Sequence, residues 1–339
     1  LKDIYAGIFW GKTEAICRKM ISAATSFIVV LGVVLFEIPG EFVLAREFGM
    51  VDHKNNVNHL DPGFARSVAE APFYPSRASS NGRVLTAGMF DQPETCGGCH
   101  AEIYSQWNGS MHSNAWKDQI YRAALRNASK NTKGRVDKLC MGCHTPIGTM
   151  TGEASLSGKG MSAVADKGVN CEVCHNISDT RGIGNGAYVL TPKLHGLPLK
   201  FGPYNDSRSP YHDTAYSALH TKAEFCGQCH NVTHPFNKTP IERTYDEWKD
   251  SVYASNGVQC QDCHMKPFPG KAAPMGKERE KIYSHYFVGG NTSIPKLLGS
   301  DQHSVLARDM LISAATIEIT DVDNLQPGKR ATVMIKVTN

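Results

Sequence analysis

Residues 96–112 read Cys96-Gly-Gly-Cys99-His100-Ala-Glu-Ile-Tyr-Ser-Gln-Trp-Asn-Gly-Ser-Met-His112, and the first five of them decide how the chain folds. The pattern Cys-x-x-Cys-His recurs as Cys140-Met-Gly-Cys143-His144, Cys171-Glu-Val-Cys174-His175, Cys226-Gly-Gln-Cys229-His230 and Cys260-Gln-Asp-Cys263-His264. It is the attachment pattern for c-type haem. Two thiols two residues apart can form thioethers with both vinyl groups of one porphyrin, which holds the adjacent histidine under the iron as its proximal ligand. At this chain's own cysteine and histidine frequencies, chance supplies about 0.01 to 0.02 copies. Redox Cys-x-x-Cys pairs occur singly, near a βαβ pattern, and zinc ribbons use their pairs two by two. Five copies, each followed by histidine, fit neither.

The chain has 339 residues, with 36 basic and 32 acidic side chains and a net charge of +4, so it carries no nucleic-acid footprint. A hydrophobic content of 41% is low for a chain with a large apolar core. Ten of its 11 cysteines lie in the five motifs, which leaves no disulfide framework to build.

Met20–Phe36 is an uncharged, mostly apolar run at the short end of the range for a membrane-spanning helix. Lys12, Arg18 and Lys19 precede it, and Glu37, Glu41 and Glu47 follow. The positive-inside rule then puts the amino terminus in the cytoplasm and the motifs outside, where c-type haems are attached. A cleaved signal peptide ending near Val43-Leu44-Ala45 is the competing reading, and a retained anchor is the one adopted. Cys17, just cytoplasmic of the run, reads as a reduced free thiol.

Four segments follow. Residues 1–45 form a stub and membrane anchor, and 46–90 a polar, turn-rich linker wrapping the haem domain, with Asp61-Pro62-Gly63 and Ser79-Ser80-Asn81-Gly82 as breakers. Residues 91–305 hold the motifs at irregular intervals of 44, 31, 55 and 34 residues. There the expected fold is mainly α, with helices over Ala101–Ser110, Ala115–Ala128 and Thr244–Ala254. Extensive irregular loops are organised around stacked haems that take the place of a protein core. Residues 306–339 change to period two, with strands expected over Ala315–Thr320 and Ala331–Thr338. Two strands alone are marginal, so a β module continuing past Asn339 is expected.

Five proximal histidines, His100, His144, His175, His230 and His264, leave nine others, more than surface usage accounts for. His112, His212, His220, His234 and His285 are the candidate distal ligands. His195 and His303 stand behind them, and His53 and His59 further behind. His112 lies twelve residues past His100, about 18 Å if helical, so it should serve a different haem. His234, read as one helical turn past His230, lies on the proximal side of that haem and should also serve a neighbour. His212 and His220 share a segment, and His285 precedes a Gly-Gly pair that allows close backbone approach. Met265, beside a proximal histidine, reads as packing.

The segment 96–112 resembles the opening haem segment of a broad multihaem cytochrome c family. That family includes the tetrahaem cytochromes of nitrifying bacteria and the filament-forming cytochromes of metal-reducing bacteria and archaea. Ser209-Pro-Tyr-His212, Phe225-Cys-Gly-Gln-Cys-His-Asn-Val-Thr-His-Pro235, Thr244-Tyr-Asp-Glu-Trp248 and Val258-Gln-Cys-Gln-Asp-Cys-His-Met265 are similar to it as well, so the resemblance covers residues 90–335. It implies bis-histidine haems in a closely stacked chain and a β module after them. In that family the module runs on into a Gly-His motif, which this chain lacks, and a retained membrane span is atypical. Enzymes of the family include hydroxylamine oxidoreductases and multihaem nitrite reductases. Nitrite reductases mark the catalytic haem with Cys-x-x-Cys-Lys, whereas all five motifs here end in histidine, which favours a carrier over an enzyme.

The sequence therefore leads to an expected membrane-anchored, pentahaem electron carrier of the respiratory type. Its haem domain would lie on the periplasmic or extracytoplasmic side. Its expected partners are a membrane respiratory complex or other cytochromes, in a homo- or hetero-oligomer. A subunit of a haem filament and a multihaem oxidoreductase of small nitrogen or sulfur compounds are the alternatives.

Overall fold

Each attachment motif forms or ends a helical turn, because the histidine N–H reaches the carbonyl of the first cysteine four residues back, as in His100 to Cys96 (2.8 Å) and His230 to Cys226 (2.9 Å). One turn puts residues i, i+3 and i+4 on one face, so both thiols and the imidazole point the same way. The computed structural model describes residues 72–192, 196–322 and 325–338. The Met20–Phe36 span, Cys17, His53, His59, His195 and the first part of the linker lie outside them. Among the described residues no helix is long and apolar enough to cross a membrane.

The motif helices are α1 (Pro93–Gly97), α4 (Asp137–His144), α6 (Cys171–His175), α7 (Ala223–Gly227) and α10 (Cys260–His264). Between the first two lie α2 (Ala101–Asn108) and α3 (Gln119–Thr132), and α5 (Pro146–Met150) follows α4. The α3 helix starts four residues later than its pattern suggests. Asp118 caps it by accepting from Ile120 N, and Lys133 closes it at φ 53°. The helix expected over Thr244–Ala254 is two, α8 (Thr244–Lys249) and α9 (Val252–Ser255). Ser251 divides them: its hydroxyl donates to the Trp248 carbonyl and accepts from Tyr253 N, offering the backbone an alternative to helix. Helices α11 (Ser293–Leu297) and α12 (Asp301–Ala314) end the haem region.

The haem domain expected to be mainly α is mixed, because small sheets lie among its helices and loops. Four two-stranded sheets lie within it: β1 (Ile177–Thr180) with β2 (Tyr188–Leu190), β3 (Leu199–Gly202) with β4 (Asp213–Tyr216), β5 (Val232–Thr233) with β6 (Pro240–Glu242), and β7 (Pro267–Lys271) with β8 (Glu278–Tyr283). Strands of two to six residues are too short for a period-two pattern to stand out. The β3–β4 pair is parallel, Leu199 opposite Asp213 and Phe201 opposite Ala215. A fifth pair, the antiparallel β9 (Thr316–Val322) and β10 (Val333–Thr338), agrees with the carboxy-terminal expectation within two residues.

The apolar core is modest and is built around the motifs. One cluster joins Leu85, Phe90, Ile147, Met150, Val173, Tyr188 and Leu190, with Phe225 and Cys229 packed against it, so it touches the third and fourth motifs together. Ala78, Leu85 and Phe90 come from the linker stretch, which thus contributes to the core it wraps. A second cluster, Trp116, Tyr121, Leu125 and Met141, packs α3 against α4. Each such side chain contributes about 1.5–3 kcal/mol on burial.

Candidate haem-ligation site

In four of the five motif histidines the second ring nitrogen is engaged by the backbone. Nδ1 donates to the carbonyl of Ala272 in His100 (2.7 Å), of Ala115 in His144 (2.9 Å), of Phe201 in His175 (2.7 Å) and of Val288 in His264 (2.5 Å). A metal-ligating histidine gives its other N–H to such an acceptor, which fixes the tautomer and leaves Nε2 with its lone pair for the metal. Burial pushes His144, His175 and His230 below the ordinary histidine value.

Three candidate distal histidines each lie beside a different motif histidine. Ring centroids are 6.4 Å apart for His100 and His212, 6.1 Å for His230 and His112, and 6.4 Å for His175 and His285. Two imidazoles sharing one iron, each with a metal–nitrogen bond of about 2 Å, have centroids about 6 Å apart. The residues therefore fit bis-histidine ligation. His212 and His285 repeat the orientation of the motif histidines, with Nδ1 donating to Asp213 O (3.1 Å) and Tyr283 O (2.9 Å). Burial pushes His285 down to about 4 and His112 to about 3. The Nδ1 of His112 is buried without a hydrogen-bond partner.

Two candidates behave differently. His220 is also near His175, 5.8 Å between centroids, but its Nε2 donates to the Cys174 carbonyl (3.1 Å), leaving Nδ1 buried and unpartnered. His234 is not on a helix, because the chain after His230 enters β5. Its Nδ1 accepts weakly from Phe236 N and Asn237 N, and it makes no ring contact with a motif histidine among the described residues. His303 ties α12 to α2: Nε2 donates to Gln106 O (2.8 Å) and Nδ1 accepts from Ser300 Oγ (2.6 Å), so both nitrogens are occupied. The ring of His144 stacks on Tyr121 at 3.6 Å, a contact that the sequence reading did not anticipate.

The motifs also touch one another. The thiols of Cys96 and Cys171, of Cys143 and Cys229, and of Cys226 and Cys260 lie close enough to perturb one another, and α1 packs on α6 and α7 on α10. Cys99 and Cys263 are the exposed ones among the ten motif cysteines. In the third motif Glu172 is buried, 1% exposed, and ion-paired to Lys200 (2.5 Å), while Asn176 Nδ2 donates to its other oxygen. Burial pushes Glu172 above the ordinary carboxylate value, and Lys200 and Asn176 oppose that.

Residues 95–176 match the family described as Cytochrome c554 and c-prime, a span that includes the first three motifs. The chain also resembles the crystal structure of a penta-heme cytochrome c552 from Thermochromatium tepidum, with 18% identity and a TM-score of 0.49, over 74% of this chain and 65% of that one. No curated protein matches the chain. The family match is confined to residues 95–176.

Proposed function

We propose that this multihaem cytochrome c holds five haems and relays electrons along them, between a membrane respiratory complex and an extracytoplasmic acceptor. The ten motif cysteines are the tethers, and His100, His144, His175, His230 and His264 the proximal ligands. When bound, haem supplies one-electron chemistry between ferric and ferrous iron. The chain supplies the ligands, their orientation and the dry surroundings that set the potential.

The observation that carries this reading is the placing of His212, His285 and His112 about 6 Å from the motif histidines His100, His175 and His230. An iron held by two imidazoles is closed to substrate and suited to electron transfer. For His175 we take His285 as the partner over His220, because its Nδ1 is bonded in the manner of a ligand and its Nε2 is left for iron.

The inter-motif contacts support one order for the relay. The first motif touches the third and the fourth touches both the second and the fifth, while the third and fourth share a core cluster. Electrons would then run from the first motif through the third and fourth to the fifth, with the second as a branch. Exposed Cys99 and Cys263 mark the two ports. Met20–Phe36, by its length and flanking charges, would anchor the protein in the cytoplasmic membrane with the relay outside.

Intact mass of the purified protein tests the haem count: the polypeptide should carry five covalently bound haems, and four or fewer overturns the count. Fractionation tests the anchor. The native protein should need detergent for release, and a mature amino terminus beyond Phe36 removes it. Native gels then separate co-migration with integral-membrane subunits, which supports the respiratory partner, from a homopolymer ladder, which favours the filament.

A further inference from the structure

Buried charges are costly unless paired, so an ion pair inside a protein calls for an account of what it touches. Glu172 occupies the first variable position of the third motif, directly after the tether Cys171. Its helix is capped by Asn170, whose side chain accepts from Glu172 N and Val173 N. Its partner Lys200 lies on β3, side-chain exposure 16%, next to Phe201, whose carbonyl receives the His175 Nδ1–H. The parallel partner of β3 is β4, which begins immediately after His212, the residue beside His100. The α1 helix, which carries Cys96 of the first motif, packs against α6, which carries Cys171 and Glu172. The ion pair thus lies at the junction of the first and third motifs.

We propose that the Glu172–Lys200 pair is the electrostatic control of the step between the haems of the first and third motifs. The inference rests on the haem-relay reading above. In that step one ferrous iron loses an electron and one ferric iron gains it, with no bond made or broken. Reduction adds negative charge, so a nearby carboxylate disfavours it and a nearby ammonium favours it, and both act strongly in a poorly solvated site. Paired, the two charges nearly cancel at a distance. The small imbalance between them would act first on the potential of a haem held by the third motif, because Glu172 adjoins its tether Cys171 and Lys200 adjoins Phe201, the acceptor for His175.

The experiment is redox titration of the full-length, fully loaded protein, followed in the visible spectrum. Glu172→Gln leaves Lys200 unopposed and should raise the midpoint of one low-potential component, with a smaller rise in a second. Lys200→Gln should lower the same component at alkaline pH, where Glu172 is ionised. The double variant E172Q/K200Q should return it to near the native value, a restoration that mere loss of packing would not produce. Intact mass is measured first, so that a missing haem counts against the relay reading and not against this one. With five haems present, an unchanged titration in both single variants overturns the proposal. So does a double variant that shifts further than either single one. If Glu172→Gln fails to mature, the partly exposed Lys200 position carries the test alone, and no alkaline decrease in Lys200→Gln overturns it.

Discussion

The imidazoles of His112 and His230 stand 6.1 Å apart, centroid to centroid, and the Phe287 ring is 4.4 Å from His112. The two histidines come from different attachment segments. Their approach brings the stretch that follows the first motif onto the fourth. Burial, reinforced by the neighbouring histidines, pushes His112 down to about 3, so it remains neutral and able to ligate across the physiological range.

Replacing His112 with alanine should therefore open one iron while leaving the haem count intact. The expected signature is a high-spin ferric component equivalent to one haem, with matching carbon monoxide binding in the reduced protein. An unchanged low-spin spectrum would show that His112 is packing and not a ligand.

His303 gives the contrasting outcome. Both of its nitrogens are bonded, to Gln106 O and Ser300 Oγ, and the residue is 6% exposed. His303→Leu leaves a buried carbonyl unsatisfied and should cost about 1–3 kcal/mol of stability. Spectra and midpoint potentials should stay as in the native protein. A new high-spin component in this variant would return His303 to the ligands.

Tyr188 anchors the second motif from outside it. Its hydroxyl donates to the Gly142 carbonyl at 2.6 Å, and the side chain is fully buried. Tyr188→Phe keeps the ring but strands that carbonyl, with an expected loss of about 1–3 kcal/mol. Thermal unfolding of the loaded protein measures it, and an unchanged midpoint temperature would refute the assignment.

Asp206 binds Lys277 and Arg279, each at 2.6 Å, and so ties the loop before His212 to β8. Its hydrogen bonds to Lys277 and Arg279 hold its carboxyl down to about 2. A carboxyl lowered on folding stabilises the protein above its unfolded value, close to 4, and that contribution fades as pH falls through the folded value. Native protein should therefore melt above Asp206→Asn at neutral pH, and the two should converge as pH drops from about 4 towards 2. Parallel curves over that window would contradict the tie.

Local chemistry explains which features were legible beforehand. Cys-x-x-Cys-His is a local pattern, so the five motifs could be read from spacing alone, whereas the helical turn that each one closes appears only in the structure. The β9–β10 ribbon was equally readable, because its alternation runs long enough to register. The start of α3 turned on one capping carboxylate at Asp118, and the break at Ser251 on one hydroxyl competing for backbone, signals carried by single residues. His234 was misplaced because a helix was assumed where the chain turns into a strand of two residues.

The sequence by itself determined the five Cys-x-x-Cys-His motifs and the histidine that ends each, since the pattern needs only neighbours in the chain. Tertiary structure decided which distant histidine faces which motif, placing His212 by His100, His285 by His175 and His112 by His230. Only there do both ring nitrogens of His303 find partners, and only there does Glu172 meet Lys200. The physical reason is that long connections can close at little additional entropic cost per residue, so sequence separation hardly limits the choice of partner. Packing of the loops and short sheets makes that choice, and no spacing rule encodes it.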